Sequence, residues 1–178
     1  MKDFETKNLY LNATKLDYAE SYQRHYSHHE VLKCFTGLPN PYPENGAYEF
    51  IKYHVLPHQD HTLWHWCLFL KEDPRDCIGS IEIRRDDRQG HRGFWLARHL
   101  WGQGLMTEAV EPISSYALNT LGFRELILEN DAENLASRRI KITQGAVFID
   151  TYPKNLADGQ TKTFERWKLT RAMLRKNG

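Results

Sequence analysis

This chain has no long apolar run. None of its hydrophobic stretches approaches the roughly 20 residues a bilayer-crossing helix needs, so no membrane-spanning helix is expected. The opening MKDFETKNLY lacks the apolar core of a signal peptide. Cysteine is scarce: Cys34, Cys67 and Cys77 form no Cys-x-x-Cys pair and leave an odd one over. Reduced thiols in a cytoplasmic compartment are therefore expected rather than a disulfide framework. Charge of one sign is lacking too. With 24 Lys and Arg against 23 Asp and Glu, the formal net charge of +1 supplies no global field for nucleic acid or an acidic membrane. Only the C-terminal segment is locally basic (Arg166, Lys168, Arg171, Arg175 and Lys176 against Glu165), which reads as a solvated strand end and tail. Repeats, low-complexity tracts and linker-like segments are absent. A chain of 178 residues can bury roughly 70 % of its unfolded surface, so one domain over residues 1–178 is expected.

What is present is an alternation of strand and helix patterns. KNLYLNAT (7–14) alternates as a first strand, and residues 16–28 follow with Asp17 as N-cap and Leu16, Ala19 and Tyr22 at helical spacing. Three prolines make GLPNPYPENG a loop, and residues 47–56 form a second helix stopped by Pro57. TLWHWCLFLK and CIGSIEIRR are strands joined by the turn EDPRD, and HRGFWLARHL is the next. Leu105, Ala109, Ile113, Tyr116, Ala117 and Leu121 mark one face of a helix that Gly122 can end. Pro112 deletes the bond to the Glu108 carbonyl and is expected to bend that helix. RELILEN is a strand, NLASRRIKITQG a short helix closed by Gly145, and AVFIDTYP and FERWKLTRAML are final strands. The sum is a mixed sheet of about seven strands flanked by about four helices.

Gly102 and Gly104 stand between a strand and that long helix. First-turn N–H groups have no intrahelical partners there, and the helix dipole favours an anion. Glycines let a bulky anion approach the backbone, but a plain strand-to-helix turn uses them equally well. A Walker A loop is excluded, because its spacing is absent and no lysine follows Gly104. A dinucleotide fingerprint is excluded as well: Thr107 stands where the third glycine belongs, and the turn follows the fourth strand rather than lying in a strand-helix-strand unit of a parallel sheet.

The segment FWLARHLWGQGLMTEAV, the YAL and LGF after it, and the spacing of Asn134, Ser137 and Gly145 together resemble the GNAT superfamily of N-acetyltransferases. More narrowly they resemble its RimJ/RimL-like branch, which acetylates protein N-termini and assorted small amines. The likeness is close over residues 76–150 and follows the order of elements along the whole chain. It implies the GNAT fold, an α/β (α+β) architecture on a mixed, mostly antiparallel sheet, with acetyl-CoA as co-substrate and no metal. The resemblance seats the pyrophosphate on backbone N–H groups of Gln103, Gly104, Leu105 and Met106, with Thr107 adjoining. It pairs the pantetheine arm, like an extra strand, with Leu96, Ala97 and Arg98. Asn134 is implied as a cofactor contact and helix cap. Where the superfamily often carries a tyrosine, seven residues after the Asn, this chain has Lys141. In the RimJ/RimL-like branch the serine three residues after the Asn serves the leaving group, and Ser137 occupies that place. Trp101 and Met106 depart from the superfamily's usual six-residue signature but occur in this branch, and backbone donors do not depend on them. Arg138 and Arg139 either meet CoA phosphates or are solvated.

Acetyl transfer from a thioester to an amine needs a neutral amine, a stabilised oxyanion and a protonated leaving thiolate. At pH 7 an α-amine is roughly 15 % neutral and a lysine ε-amine about 0.04 %. An N-terminal amine thus needs little more than a water chain to a carboxylate, and a lysine needs a stronger base or a desolvated site. Glu82 and Glu129 are the candidate bases, with His91 behind them, and a solvent-facing strand position is the alternative for each. Glu108, in the first turn after the glycines, is structural or substrate-facing. No cysteine near the motif suggests an acyl-enzyme, so direct transfer in a ternary complex is expected. The nine histidines give no expected metal site. His61 and His65 lie along a strand at roughly 13 Å, Pro57 interrupts His54 and His58, and His25, His28 and His29 lack an evident acidic partner. Trp64, Trp66, Trp95 and Tyr48 line an acceptor cleft or pack the core. The expected function is acetyl-CoA-dependent N-acetylation of a primary amine, a protein N-terminal α-amine or a small molecule. No nucleic-acid or membrane partner is expected, and the protein is expected as a monomer or homodimer. The alternative is a non-catalytic acyl-CoA-binding sensor.

Overall fold

The structure is a computed structural model in which residues 1–156 and 159–174 are described; Arg175 and Lys176 of the basic tail lie outside the described residues. The strands are β1 (Phe4–Glu5), β2 (Leu9–Ala13), β3 (Leu63–Leu70), β4 (Gly79–Asp86), β5 (Gln89–Leu96), β6 (Glu125–Asp131), β7 (Val147–Asn155) and β8 (Thr161–Thr170). They form one eight-stranded sheet in the order β1-β2-β3-β4-β5-β6-β8-β7. Every pairing is antiparallel except that of β5 with β6. The helices among the described residues are α1 (Ala19–Tyr26), α2 (His29–Leu32), α3 (Gly46–Phe50), α4 (Leu105–Asn119) and α5 (Leu135–Thr143).

The sheet has eight strands where about seven were expected, and the described residues hold five α-helices where about four were expected. β1 has two residues, too few to show a period-two pattern. The single turn α2 lies just beyond the stretch read as one helix, after a break at Ser27. Asp17 is not an N-cap: it sits inside a 3₁₀ turn, Leu16–Tyr18, and Tyr18 caps α1 without a side-chain bond. Residues 47–56 are not a plain α-helix, because α3 passes into a π-helical turn at Ile51–Val55 before Pro57. α4 is continuous through Pro112.

Alternation along the strands sorts side chains into two cores. Leu9, Leu11, Trp64, Trp66, Leu68, Ile81 and Ile83 face Leu105, Ala109, Val110, Ile113 and Ala117 of α4. On the opposite face Cys67, Phe69 and Trp95 pack under Tyr22, Tyr26, Ala47 and Ile51 of α1, α3 and the turn after it. Fully burying each such aliphatic side chain stabilises the fold by about 1.5–3 kcal/mol. Both layers hold the middle of the sheet, and there β5 and β6 part. They pair from Gln89 with Glu125 to Arg92 with Leu128 and no further, although β5 runs on to Leu96 and β6 to Asp131. Each keeps its other neighbour throughout, β4 and β8 respectively.

Glu108 holds the start of α4 against the β1–β2 hairpin. It accepts from Thr6 Oγ1 at 2.5 Å, from the Asn8 backbone N–H at 2.7 Å and from Asn8 Nδ2 at 2.7 Å. Of the two roles left open for Glu108, the structural one is the one built. Burial raises its carboxyl, but the bonds from Thr6 and Asn8 outweigh this and hold it below the usual range. Glu108→Ala is expected to lower stability by about 1–3 kcal/mol in urea denaturation. Because the folded-state titration is depressed, the wild-type advantage over Glu108→Gln should be present at neutral pH and fade below about pH 4.

Candidate active site

Between β5 and α4 the backbone turns through two left-handed glycines, Gly102 and Gly104, each at φ +79°. A side chain there costs about 1–2 kcal/mol. Gly104 is the N-cap of α4 and brings no side-chain acceptor. The first intrahelical bond runs from the Glu108 N–H to the Gly104 carbonyl (3.0 Å), so the N–H groups of Leu105, Met106 and Thr107 precede it. Leu105 and Met106 are buried in the α4 core, and packing holds that turn in place. Trp101 braces it further: its indole N–H donates to the Leu96 carbonyl at 2.7 Å, and the Arg98 guanidinium lies over its ring at 4.8 Å. The Gln103 side chain donates to the His99 carbonyl at 3.2 Å. Ala97 is already committed, its N–H to Ile78 (2.7 Å) and its carbonyl to the Leu100 N–H (3.0 Å). The Arg98 carbonyl accepts from Trp101. The edge of β5 left open toward β6 is therefore Gly93–Leu96.

Two cavities meet at this edge. One, of about 690 Å³, occupies the fork between β5 and β6 and is walled by Phe94, Leu128, Glu129, Asn134, Ser137 and Lys141. The other, of about 700 Å³, lies on the α1–α3 side among Tyr22, Tyr26, Phe50, His54, His65 and Trp95. Glu82, Gly93 and Phe94 border both, and Glu82 is the only carboxylate among the described residues to do so. It stands opposite Gly93 in the β4–β5 ladder, where an added Cβ would come within 3.2 Å of Glu82 Oε1. Arg84 donates to the same carboxylate. Glu129 is exposed at the rim of the fork beside Tyr152, whose hydroxyl is pushed up to about 12, by burial first and by Glu129 second. His91 also lines the fork, 3.6 Å from Asp86.

Sequence distance concealed other members of the walls. Cys34, far from the glycine turn in the chain, borders the fork. Burial raises its thiol, which donates to the Glu30 carbonyl at 3.6 Å. His25 does have an acidic partner, Asp76, at 2.7 Å, which corrects the expectation that it had none. His61 lies in the turn before β3 rather than in a strand. Among the described residues no three His, Cys, Asp or Glu converge on a metal-sized position. Trp64 and Trp66 are core residues and Trp95 borders the cavity on the α1–α3 side, whereas Tyr48 is exposed beside Lys52.

Beneath α5 lies a buried polar cluster. Asn134 Oδ1 accepts the Ser137 N–H at 3.0 Å and so caps the helix. Lys141, 1 % exposed, donates through Nζ to Asn130 Oδ1 at 2.6 Å and to Ser137 Oγ at 2.8 Å. Burial, with repulsion from Arg92 behind it, pushes this ammonium down to about 7. Arg92 is buried as well. Its Nη1 donates to Ser114 and Gln144, and its Nε and Nη2 have no partner among the described residues. Arg138 is spent on Glu165, with bonds of 2.9 and 2.5 Å, while Arg139 is exposed.

The sequence matches the acetyltransferase (GNAT) domain family over residues 8–147. The chain belongs to the GNAT acetyltransferase family. It is 30 % identical over 93 residues to FsC-acetyl coenzyme A-N(2)-transacetylase of Aspergillus fumigatus, a match covering 47 % of this chain and 39 % of that protein. The chain thus spans about two fifths of that curated relative. Ribosomal-protein-S5-alanine acetyltransferase from Vibrio fischeri has the same fold, with a TM-score of 0.84 at 16 % identity over 99 % of this chain and 100 % of that one. RimL, a ribosomal L7/L12 alpha-N-protein acetyltransferase solved in complex with coenzyme A, gives 0.83 at 13 % identity over 95 % and 98 %. The GNAT family and its mixed, mostly antiparallel sheet, both anticipated from the sequence, are the ones observed.

Two tests follow from this geometry. Gly104→Ala should raise the KM for acetyl-CoA and lower stability by about 1–2 kcal/mol, read from steady-state kinetics and thermal melts. For Lys141 the folded-state titration near 7 lies below the unfolded value of about 10.4, so over that interval only the unfolded chain keeps the proton. Stability should therefore rise from about pH 7 toward about pH 10, and Lys141→Met should flatten that rise.

Proposed function

We propose that this GNAT protein is an N-acetyltransferase that moves acetyl directly from acetyl-CoA to a primary α-amine. The donor lies in the fork and the acceptor in the aromatic-walled cavity. The observation that carries this reading is Glu82, the carboxylate bordering both cavities at the open edge of β5. The residues present fit acetyl-CoA. Donors at the turn, from Gln103 through Gly104, Leu105, Met106 and Thr107, suit a diphosphate. The open edge Gly93–Leu96 suits the amides of an extended pantetheine arm, whereas the Ala97 N–H and carbonyl and the Arg98 carbonyl, which the resemblance also offered, are already bonded within the chain. Asn134 and Ser137 stand at the far end of the fork. Acetyl-CoA supplies the activated acyl group. Glu82 takes the amine proton directly or through one water, and Glu129 at the rim is the second candidate for that task. Ser137 offers its hydroxyl to the departing sulfur.

The acceptor class follows from the base. Any carboxylate is a far weaker base than a lysine ε-amine. It suits an amine that is partly neutral at pH 7, which an α-amine is and a lysine ε-amine is not. Tyr22, Tyr26 and Trp95 give that amine an aromatic, largely dry approach. The acceptor is then a protein N-terminus or a small α-amino compound, and two of the solved structures of this fold, named as an alanine and an alpha-N-protein acetyltransferase, run the same way, although another is named as a spermidine N-acetyltransferase. Three free thiols suit a reducing, cytoplasmic setting.

The test is thiol release from acetyl-CoA against N-terminal peptides, amino acids, polyamines and aminoglycosides. Turnover is expected on α-amines. Glu82→Gln should lower kcat/KM about 100-fold at neutral pH with little change in acetyl-CoA affinity. Absence of CoA binding in calorimetry would overturn the donor site. An undiminished Glu82→Gln rate would overturn the base.

A further inference from the structure

Lys141 occupies one of the least favourable positions for an ammonium in this molecule, and helix capping does not require it there. Asn134 already caps α5. An apolar side chain of similar size in such a position is often as stable or more so. The neighbouring carboxylates are engaged elsewhere: Glu165 with Arg138, Asp131 with Lys162 at 2.7 Å, and Glu129 at the exposed rim beside Tyr152. Facing Lys141 from β5 is another buried cation, Arg92, with two donor nitrogens unpartnered among the described residues. The pocket beneath α5 therefore holds two buried positive groups and borders the fork, and it favours an anion there.

The bond between Lys141 and Ser137 has a direction. Nζ donates to Ser137 Oγ at 2.8 Å, so the serine's own hydrogen is left for another acceptor. Both residues line the fork cavity.

We propose that Lys141 is a positioning residue that acts through Ser137, with the two forming a proton relay to the departing sulfur. The inference rests on the acetyl-transfer reading above. As the N–C bond forms and the acyl C–S bond breaks, the Ser137 hydroxyl gives its proton to the sulfur and takes one from Lys141 Nζ. The proton lost by the amine leaves through Glu82 to water, and water restores the Lys141 ammonium. Protons and charge balance over the cycle. The low folded-state titration of Lys141 suits a group that must release a proton near neutral pH.

The experiment compares wild type with Lys141→Met in two measurements. The first is kcat against pH. Wild type should lose rate as pH rises and Lys141 deprotonates, whereas Lys141→Met should be slower by about 100-fold or more at neutral pH, with an unchanged acetyl-CoA KM and no such basic limb. The second needs no turnover: free CoA is bound, and its thiol is titrated by thiolate ultraviolet absorbance. The bound thiol should ionise about one pH unit or more lower in wild type than in Lys141→Met. A kcat within about twofold of wild type, or a thiol titration that does not move, would overturn the relay. Lys141→Arg covers a methionine variant that does not fold, because it keeps the cation but not the transferable proton. The relay predicts a depressed thiol titration with slowed turnover and no basic limb, and full turnover by Lys141→Arg would overturn it. Wild-type protein that releases no thiol with any amine would count against the acetyl-transfer reading instead, while the thiol titration still decides the role of Lys141.

Discussion

The parting of β5 from β6 beyond Arg92 and Leu128 is the constraint on which the rest of this structure depends. Backbone N–H and C=O groups at the centre of a sheet are ordinarily paired, and leaving a strand edge open there is unfavourable unless something else meets it. The sheet tolerates the gap because each strand remains fully laddered on its other side, and because cores on both faces hold the two halves together. An extended ligand with amide groups is the natural occupant of such an edge. The glycine turn and the open N-terminus of α4 follow directly along the same strand.

Placement of the chemistry follows from the fork. Gly93 leaves room for the carboxylate of Glu82, its ladder partner, just where the open edge begins. The aromatic layer under α1 and α3 walls one side of that point. On the other side α5 covers the gap and brings Ser137 and Lys141 over β6. Polar groups buried in a low-dielectric environment interact strongly and tolerate little mismatch. This is why the Arg92 nitrogens left unpartnered among the described residues, and the two committed bonds of Lys141, carry information about what the pocket is shaped to receive.

Features confined to a few consecutive residues were legible in the chain. The Gly-x-Gly turn, the apolar face of α4, the aromatic-rich run of β3, the alternation of β4 and the Asn134 cap are written in local spacing, and each is found in place. Short or cooperative elements were not. The two-residue β1 has no period of its own, α2 is one turn, and the π-helical turn after α3 is only five residues long. Asp17 had the chemistry of a cap but not the backbone position for one. Glu108 matched two roles in sequence, and only the contact with Thr6 and Asn8, about a hundred residues away, selected between them.

By itself, the sequence determined that a strand, a left-handed glycine turn and a helix start follow one another, and that Ser137 and Lys141 share a helix face four residues apart. Those are consequences of backbone sterics and helical periodicity, which act over a few residues. Tertiary structure alone decided that β5 and β6 diverge, that Glu82 borders two cavities, that Cys34 reaches the fork and that Arg92 and Asn130 converge on Lys141. The physical reason is range. Strand pairing, cavity shape and the field around a buried charge are set by groups distant in the chain, whose meeting depends on how the whole sheet closes around its cores.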